Sequence, residues 1–299
     1  MNQAPYFLLD VFTEKKYGGN QLAIFPNASK IDEKLFQSIA RELNLSETVF
    51  LFPPQGSDNY SMRIFTPGKE LPTAGHPTVG TAHFLTRYLR SPPEGIQKIT
   101  IEQKIGPVDV YIQFKDNLPE MITMHQPLPV FGPRHDEKRE LLAGILGLDI
   151  SEMGEQPIQE VSCGNNTLLV PLKDVDSLSK IRLKTDQWIE NQADFGNAML
   201  YTYTLKGVKK GDIQGRMFAP EIGIIEDPAT GSANGPLAAY LTEHQLLDMP
   251  AISLQGYEMG RPSQIYLDAL KKDSGEFEKV TISGKCVYTG EGFHFLDLF

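Results

Sequence analysis

The stretch "RIFTPGKELPTAGHPTVGTAHFL" (Arg63 to Leu85) returns in altered form as "RMFAPEIGIIEDPATGSANGPLAAYL" (Arg216 to Leu241). "RIFTP" and "RMFAP" lie 153 residues apart, and "PTAGHPTVGTAHFL" from Pro72 sets against "PATGSANGPLAAYL" from Pro228 at 156. In that setting Gly75 meets Gly231, Ala82 meets Ala238, Phe84 meets Tyr240 and Leu85 meets Leu241. Earlier in each half, "GNQLAIFP" from Gly19 resembles "GNNTLLVP" from Gly164 at a spacing of 145. Three blocks that keep their order while the spacing drifts slowly indicate an internal repeat, so the chain reads as two copies of one unit.

Around these blocks the letters predict short strands and one central helix per copy. "YFLLDVF" and "QLAIF" are apolar or aromatic runs parted by "GGN", and "ETVFLF" and "YSMRIF" flank the polar loop "PPQGSDN". "DEKLFQSIAREL" carries Leu35, Phe36, Ile39, Ala40 and Leu43 on one helical face behind Asp32 as N-cap. From His76 to about Tyr88 the chain is apolar on most sides, which suits a helix buried within its unit. "KITIEQKIGPVDVYIQF" and "EMITMHQ" add strands, and the second copy closes with "AISLQGYEMGRPSQIYL" and "KVTISGKCVYTG". The seam falls in "HQPLPVFGPRH", Pro-rich and aperiodic, read as a linker. The expected fold is α+β, with pseudo-symmetric domains at 1–127 and 128–299 and a last strand that can return to the first domain.

A length of 299 residues suits two domains, and 40% hydrophobic residues suffice for real cores. The net charge of −10 argues against a nucleic-acid or anionic-membrane surface, which needs a basic face. "MNQAPYFLLDVF" lacks a basic region ahead of an apolar block, and no apolar run approaches the length of a membrane helix, so a soluble cytoplasmic protein is expected. Cys163 and Cys286 form no metal spacing and no disulfide framework. Neither metal nor disulfide is expected.

Both helix starts, "TAGHPT" and "ATGSANGP", are glycine-containing turns. Free backbone N–H groups and the positive helix end favour an anion there, and glycine lets it approach. Pro77 and Pro236 belong near a helix beginning, so regular helix in the second copy is expected nearer Asn234. Catalysis is sought where the copies diverge: His76 stands opposite Ser232, and Asp227 opposite Leu71. Glu47 falls opposite Asn197 if "VFLF" is set against "MLYT". Glu, His and Asp in one cleft could move protons, with a carboxylate holding the imidazole in one tautomer. Plainer readings stand beside these: Asp227 complementing the helix dipole, Glu47 as a turn residue, His83 and Cys163 as buried structural groups, and Arg63 and Arg216 as structural residues at strand ends.

"DVFTEKKYGGNQLAIF", "ARELNLSETVFLF", "RIFTPGKELPTAGHPTVGTA", "RMFAPEIGIIEDPATGSANGPLAAYL" and "QGYEMGRPSQI" together resemble the PhzF family, named for an isomerase of phenazine biosynthesis, within the diaminopimelate epimerase-like fold. The resemblance runs in order through nearly the whole chain. It implies a mixed half-barrel around a central helix in each domain, an active site in the interdomain cleft, a homodimer, and proton transfer within a small cyclic or unsaturated carboxylate without metal or organic cofactor. By the same resemblance Glu47 is the general acid/base, His76 and Asp227 are its catalytic partners, and Gly75, Gly231 and Ser232 grip the substrate carboxylate. Asn20 is expected to bind substrate as well, and with Tyr257 and Met259 it could shape specificity. The related racemases use a cysteine at each helix start; the corresponding places here are Ala74 and Thr230, which disfavours two-thiol chemistry. Epimerase-type chemistry on the same fold and noncatalytic carboxylate binding are the alternative readings.

Overall fold

Alternation of buried and half-buried apolar residues with Gly-punctuated turns produces a strand-rich chain, described in a computed structural model over residues 3–54, 59–88 and 95–296. The chain divides into two compact units, Met1–His125 with Ser283–Phe299, and Gln126–Ile282. The polar connection after Phe52 lies mostly outside the described residues.

The strands are β1 (Gln3–Val11), β2 (Asn20–Phe25), β3 (Glu47–Phe52), β4 (Tyr60–Phe65), β5 (Glu70–Leu71), β6 (Gly95–Gln103), β7 (Gly106–Lys115), β8 (Leu118–Gln126), β9 (Val130–Arg134), β10 (Gln159–Ser162), β11 (Asn166–Pro171), β12 (Met199–Thr204), β13 (Ile213–Ala219), β14 (Ile224–Asp227), β15 (Ala251–Gln255), β16 (Ser263–Lys271), β17 (Phe277–Gly284) and β18 (Cys286–Phe295). The helices are α1 (Phe36–Leu43), α2 (Gly75–Leu85), α3 (Arg139–Leu146), α4 (Val175–Lys180), α5 (Thr185–Asn191) and α6 (Gly231–Glu243).

The repeat is visible in the pairing. In the first unit β1 pairs antiparallel with β2, β2 parallel with β3, β3 antiparallel with β4, β4 antiparallel with β5 and parallel with β6, and β6 antiparallel with β7. In the second unit β10 to β16 follow the same scheme: β10–β11 antiparallel, β11–β12 parallel, β12–β13 and β13–β14 antiparallel, β13–β15 parallel, β15–β16 antiparallel. Pairing also sets the register that letters alone could not. Leu22 faces Glu47 across the first parallel pair and Thr167 faces Met199 across the second, so the counterpart of Glu47 is Met199, not Asn197. The seam departs from expectation too: Val130–Arg134 is the strand β9, paired antiparallel with β10, despite its Gly-Pro step.

Each central helix is buried on all sides. All residues of α2 are buried, and it packs on β1, β2, β3, β7 and β18; Val79, Phe84 and Leu85 each contribute about 2 kcal/mol by leaving water. Gly80 allows the close approach, since a Cβ there would lie 2.5 Å from Leu22 Cδ2 and 2.8 Å from Val11 Cγ2. In the second unit α6 packs on β10, β11 and β16. It begins at Gly231, three residues earlier than expected, and carries Pro236 inside; the missing N–H only deprives the Ser232 carbonyl of its helical donor.

Strand β3 is covered on both faces. Phe50 joins Phe25, Phe36 and Phe65 in an aromatic cluster under α1, with Phe36 and Phe50 stacked at 4.0 Å between ring centroids. Asp32 caps the 3₁₀ turn Glu33–Leu35 that leads into α1, and Asn44 closes that helix in the left-handed conformation. The alternate residues Glu47, Val49 and Leu51 face the α2 side, because side chains along a strand change face at every step. The second unit has its own core of Leu142, Ile145, Leu168, Val170, Trp188, Phe195 and Leu200, among others.

Candidate active site

A left-handed glycine fixes the first element of the site. Gly19 has φ +60°, and a Cβ there would lie 2.2 Å from the Val11 carbonyl oxygen, so only glycine can lead the chain into β2 at this point. The next residue, Asn20, is fully buried and places Nδ2 3.1 Å from Nδ1 of His76, the second residue of α2. On the other side of the ring, Nε2 of His76 stands 3.2 Å from Oε2 of Glu47, though bent out of hydrogen-bond alignment. Thus Asn20, Glu47 and His76, from β2, β3 and the start of α2, form one cluster within the first unit. Asn20, expected among the substrate-binding residues, touches the imidazole.

Burial governs the electrostatics of this cluster. The His76 and Glu47 side chains are 3% and 8% exposed. Desolvation drives the imidazole down from its ordinary 6.5 to about 3, opposed in part by a hydrogen bond with the Gln21 backbone. His76 is therefore neutral at physiological pH. The Asn20 amide meets the ring at Nδ1, and Nε2 is the edge turned to Glu47. A carboxylate next to a neutral imidazole in a nearly dry setting can take up and return a proton without a compensating positive charge beside it.

The second unit places Asp227 at the end of β14, 4% exposed, with Oδ2 accepting a 2.5 Å hydrogen bond from the Thr230 hydroxyl. Gly231 and Ser232 are the first two residues of α6, Gly231 buried and Ser232 half-buried. No side chain caps either central helix at its N-cap residue, Ala74 or Thr230. Gly75 is the first residue of α2, so both glycines sit at uncapped, positively polarised helix ends. Tyr257 and Met259 are exposed on the loop after β15, 41% and 37% respectively. Among the described residues, no group of three or more His, Cys, Asp or Glu could hold a metal ion.

Residues singled out as structural have structural surroundings. Arg63 reaches Glu70 with Nε and Nη2, and Arg216 grips Glu226 bidentately at 2.8 Å for both bonds, so the repeated arginine is one half of a repeated ion pair. Cys163 is buried, which pushes its thiol up to about 12 and leaves it inert as a nucleophile. Sequence reasoning missed Gln103, Gln126 and Gln255, which brace the helices. The signal for Gln103 and Gln255 was present in the repeat, since "IEQ" at 101–103 and "SLQ" at 253–255 end equivalent strands.

The family described as phenazine biosynthesis-like protein matches residues 9–292. The chain belongs to the PhzF family of isomerases. The trans-2,3-dihydro-3-hydroxyanthranilate isomerase of Pseudomonas aeruginosa is 33% identical over 294 residues, covering 97% of this chain and 99% of that one. The crystal structure of a Bacillus anthracis phenazine biosynthesis protein of the PhzF family superposes with a TM-score of 0.88 at 30% identity, covering 99% of this chain and all of that one. A probable proline racemase from Agrobacterium radiobacter shares the fold, with a TM-score of 0.66 at 13% identity over 99% of this chain and 94% of that one. Among the described residues, no helix is long and apolar enough to cross a membrane.

Proposed function

We propose that this family member isomerises a small cyclic or unsaturated carboxylate by moving one proton between carbons, without metal or organic cofactor, with Glu47 as general acid/base. The observation that carries the reading is the buried Glu47 carboxylate beside a neutral His76 held by Asn20. A base that has lost its water shell accepts a carbon-bound proton readily and returns it to another carbon of the same molecule, so the formula is unchanged. In the same proposal His76 relays or polarises, Asp227 is the second titratable group, and backbone N–H groups at Gly75, Gly231 and Ser232 hold the substrate carboxylate. A homodimer in the cytoplasm belongs to the proposal as well; the free thiols of Cys163 and Cys286 suit a reducing compartment. Light scattering that gives a monomer mass would remove the dimer.

Trans-2,3-dihydro-3-hydroxyanthranilate, named for the Pseudomonas relative, is the first substrate to try. Wild type and Glu47→Gln are incubated with it in deuterated water, and conversion and label position are followed by NMR. The expected result is conversion by wild type, with deuterium at the carbon that gains the proton, and a loss of about 10²-fold or more in Glu47→Gln. Undiminished turnover by Glu47→Gln refutes the role of Glu47. Absence of conversion by wild type refutes this substrate.

A further inference from the structure

Behind Asp227 lies a hydrogen-bond network centred on one buried amide. Gln255, the last residue of β15, is fully buried. Its Nε2 donates to the Asp227 main-chain oxygen at 2.7 Å and to Thr230 Oγ1 at 2.9 Å. Its Oε1 accepts from Thr230 N at 3.1 Å and from Asn234 Nδ2 at 3.3 Å. A primary amide has two donors and two acceptor lone pairs, so Gln255 is saturated and its orientation fixed. A flipped amide would set its oxygen against the Asp227 carbonyl and its NH₂ against the Thr230 N–H. Because Thr230 Oγ1 already accepts from Gln255, its single proton goes to Asp227 Oδ2, over 2.5 Å. Hydrogen bonds to an ionised acceptor of this length are among the strong ones.

The repeat supplies an internal control. Strand pairing places Ile101 beside Tyr60 and Ser253 beside Ile213, which makes Gln103 the counterpart of Gln255. Gln103 Nε2 also donates to a threonine, Thr78 Oγ1, at 2.9 Å, but that hydroxyl passes its proton to the Ala74 carbonyl at 2.6 Å. Bracing a helix start with a glutamine is thus common to both units and explains the residue's presence. Ending the relay on a carboxylate occurs only in the second.

We infer that Gln255 and Thr230 are positioning residues for Asp227: together they lock its carboxylate as an acceptor of fixed orientation at the start of α6. This rests on the reading of Asp227 as a group that acts on substrate. The test uses the full chain labelled with ¹³C-carboxyl aspartate, assigned with Asp227→Asn, and compares Thr230→Val, Thr230→Ser and Gln255→Glu. Losing the hydroxyl removes a bond to the charged form, so the Asp227 titration midpoint in Thr230→Val rises by about one unit. With trans-2,3-dihydro-3-hydroxyanthranilate, kcat falls about tenfold while KM stays within about twofold, as expected for one charge-assisted bond that serves the reaction step. Thr230→Ser, which keeps the hydroxyl, restores both quantities. Gln255→Glu, with an acceptor where Nε2 donated, moves the midpoint as Thr230→Val does. Gln103→Leu, which loosens the matching brace of the first unit, leaves it unmoved. Should the valine variant fail to fold, Thr230→Ala replaces it. An unmoved midpoint without the hydroxyl overturns the inference, as does Thr230→Ser behaving like Thr230→Val. The titration needs no turnover, so a wild type inactive on this substrate would count against the proposed function while the positioning claim is still decided.

Discussion

Lowering the pH from 8 to 5 loads protons onto imidazoles that the folded chain keeps neutral, and His83 gives the cleanest measure of the cost. It lies in α2, 8% exposed, with its ring 5.3 Å from that of Tyr288, and burial lowers its pKa from 6.5 to about 4. Below pH 6.5 the unfolded chain binds a proton at His83 that the folded chain refuses, so stability falls as the pH drops and the loss is complete only below the folded value. Between pH 8 and pH 5 the difference amounts to about 2 kcal/mol for this one group. His76, lowered to about 3, adds a similar amount. Urea unfolding followed by far-UV circular dichroism at the two pH values measures the loss; Trp188 fluorescence is a poor substitute, because Trp188 belongs to the core of the other unit. His83→Gln is expected to retain about 2 kcal/mol more of its pH 8 stability at pH 5 than wild type does. Comparing each protein with itself cancels the fixed cost of the substitution. A loss in His83→Gln as large as in wild type refutes the argument, as does NMR titration of the folded His83 ring near pH 6.5.

Three further outcomes follow from the geometry. Gly19→Ala must move either the Val11 carbonyl or Asn20; it is expected to cost about 1–3 kcal/mol and to loosen His76, seen as destabilisation together with a changed His76 ring shift. Arg216→Met leaves Glu226 unpaired at a site where the arginine side chain is 8% exposed, and costs about 3 kcal/mol, whereas Arg63→Met, at 33% exposure, costs about 1 kcal/mol; equal costs in urea unfolding would contradict the burial argument. Cys163, with its thiol pushed up to about 12, resists a thiol reagent at pH 8 in the native chain and reacts on unfolding; prompt native labelling assigned to it by mass spectrometry would show that the thiol is not buried.

The two copies were legible because the repeat preserves local chemistry: the Arg–Phe strands, the glycine at each helix start and the apolar helix body are set by letters close together. The register of Glu47 was not. Setting it against Asn197 instead of Met199 is a slip of two residues, and a two-residue slip keeps every side chain on its own face of the sheet, so the apolar pattern cannot detect it. Strand β9 was hidden by its proline and glycine, since only pairing with β10 makes "VFGPR" a strand. Pro236 pointed to a late helix start because the local rule omits the packing that holds α6 together around it. Glu47 and His76 could be picked as candidates, but their contact depends on β3 and α2 meeting, and the glutamine braces depend on strand ends reaching helix starts.

The pairing of β1 with β18, from Gln3 opposite Phe295 to Val11 opposite Cys286, has a consequence for how the chain is made. The second unit is one unbroken stretch of chain, while the first needs a strand that follows that stretch in the sequence. A ribosome working from the N-terminus therefore releases everything required for the second unit before the first can close. Throughout that interval β1 has β2 on one side and nothing on the side that β18 will fill, and the nascent chain presents an open sheet edge to chaperones and to other nascent chains.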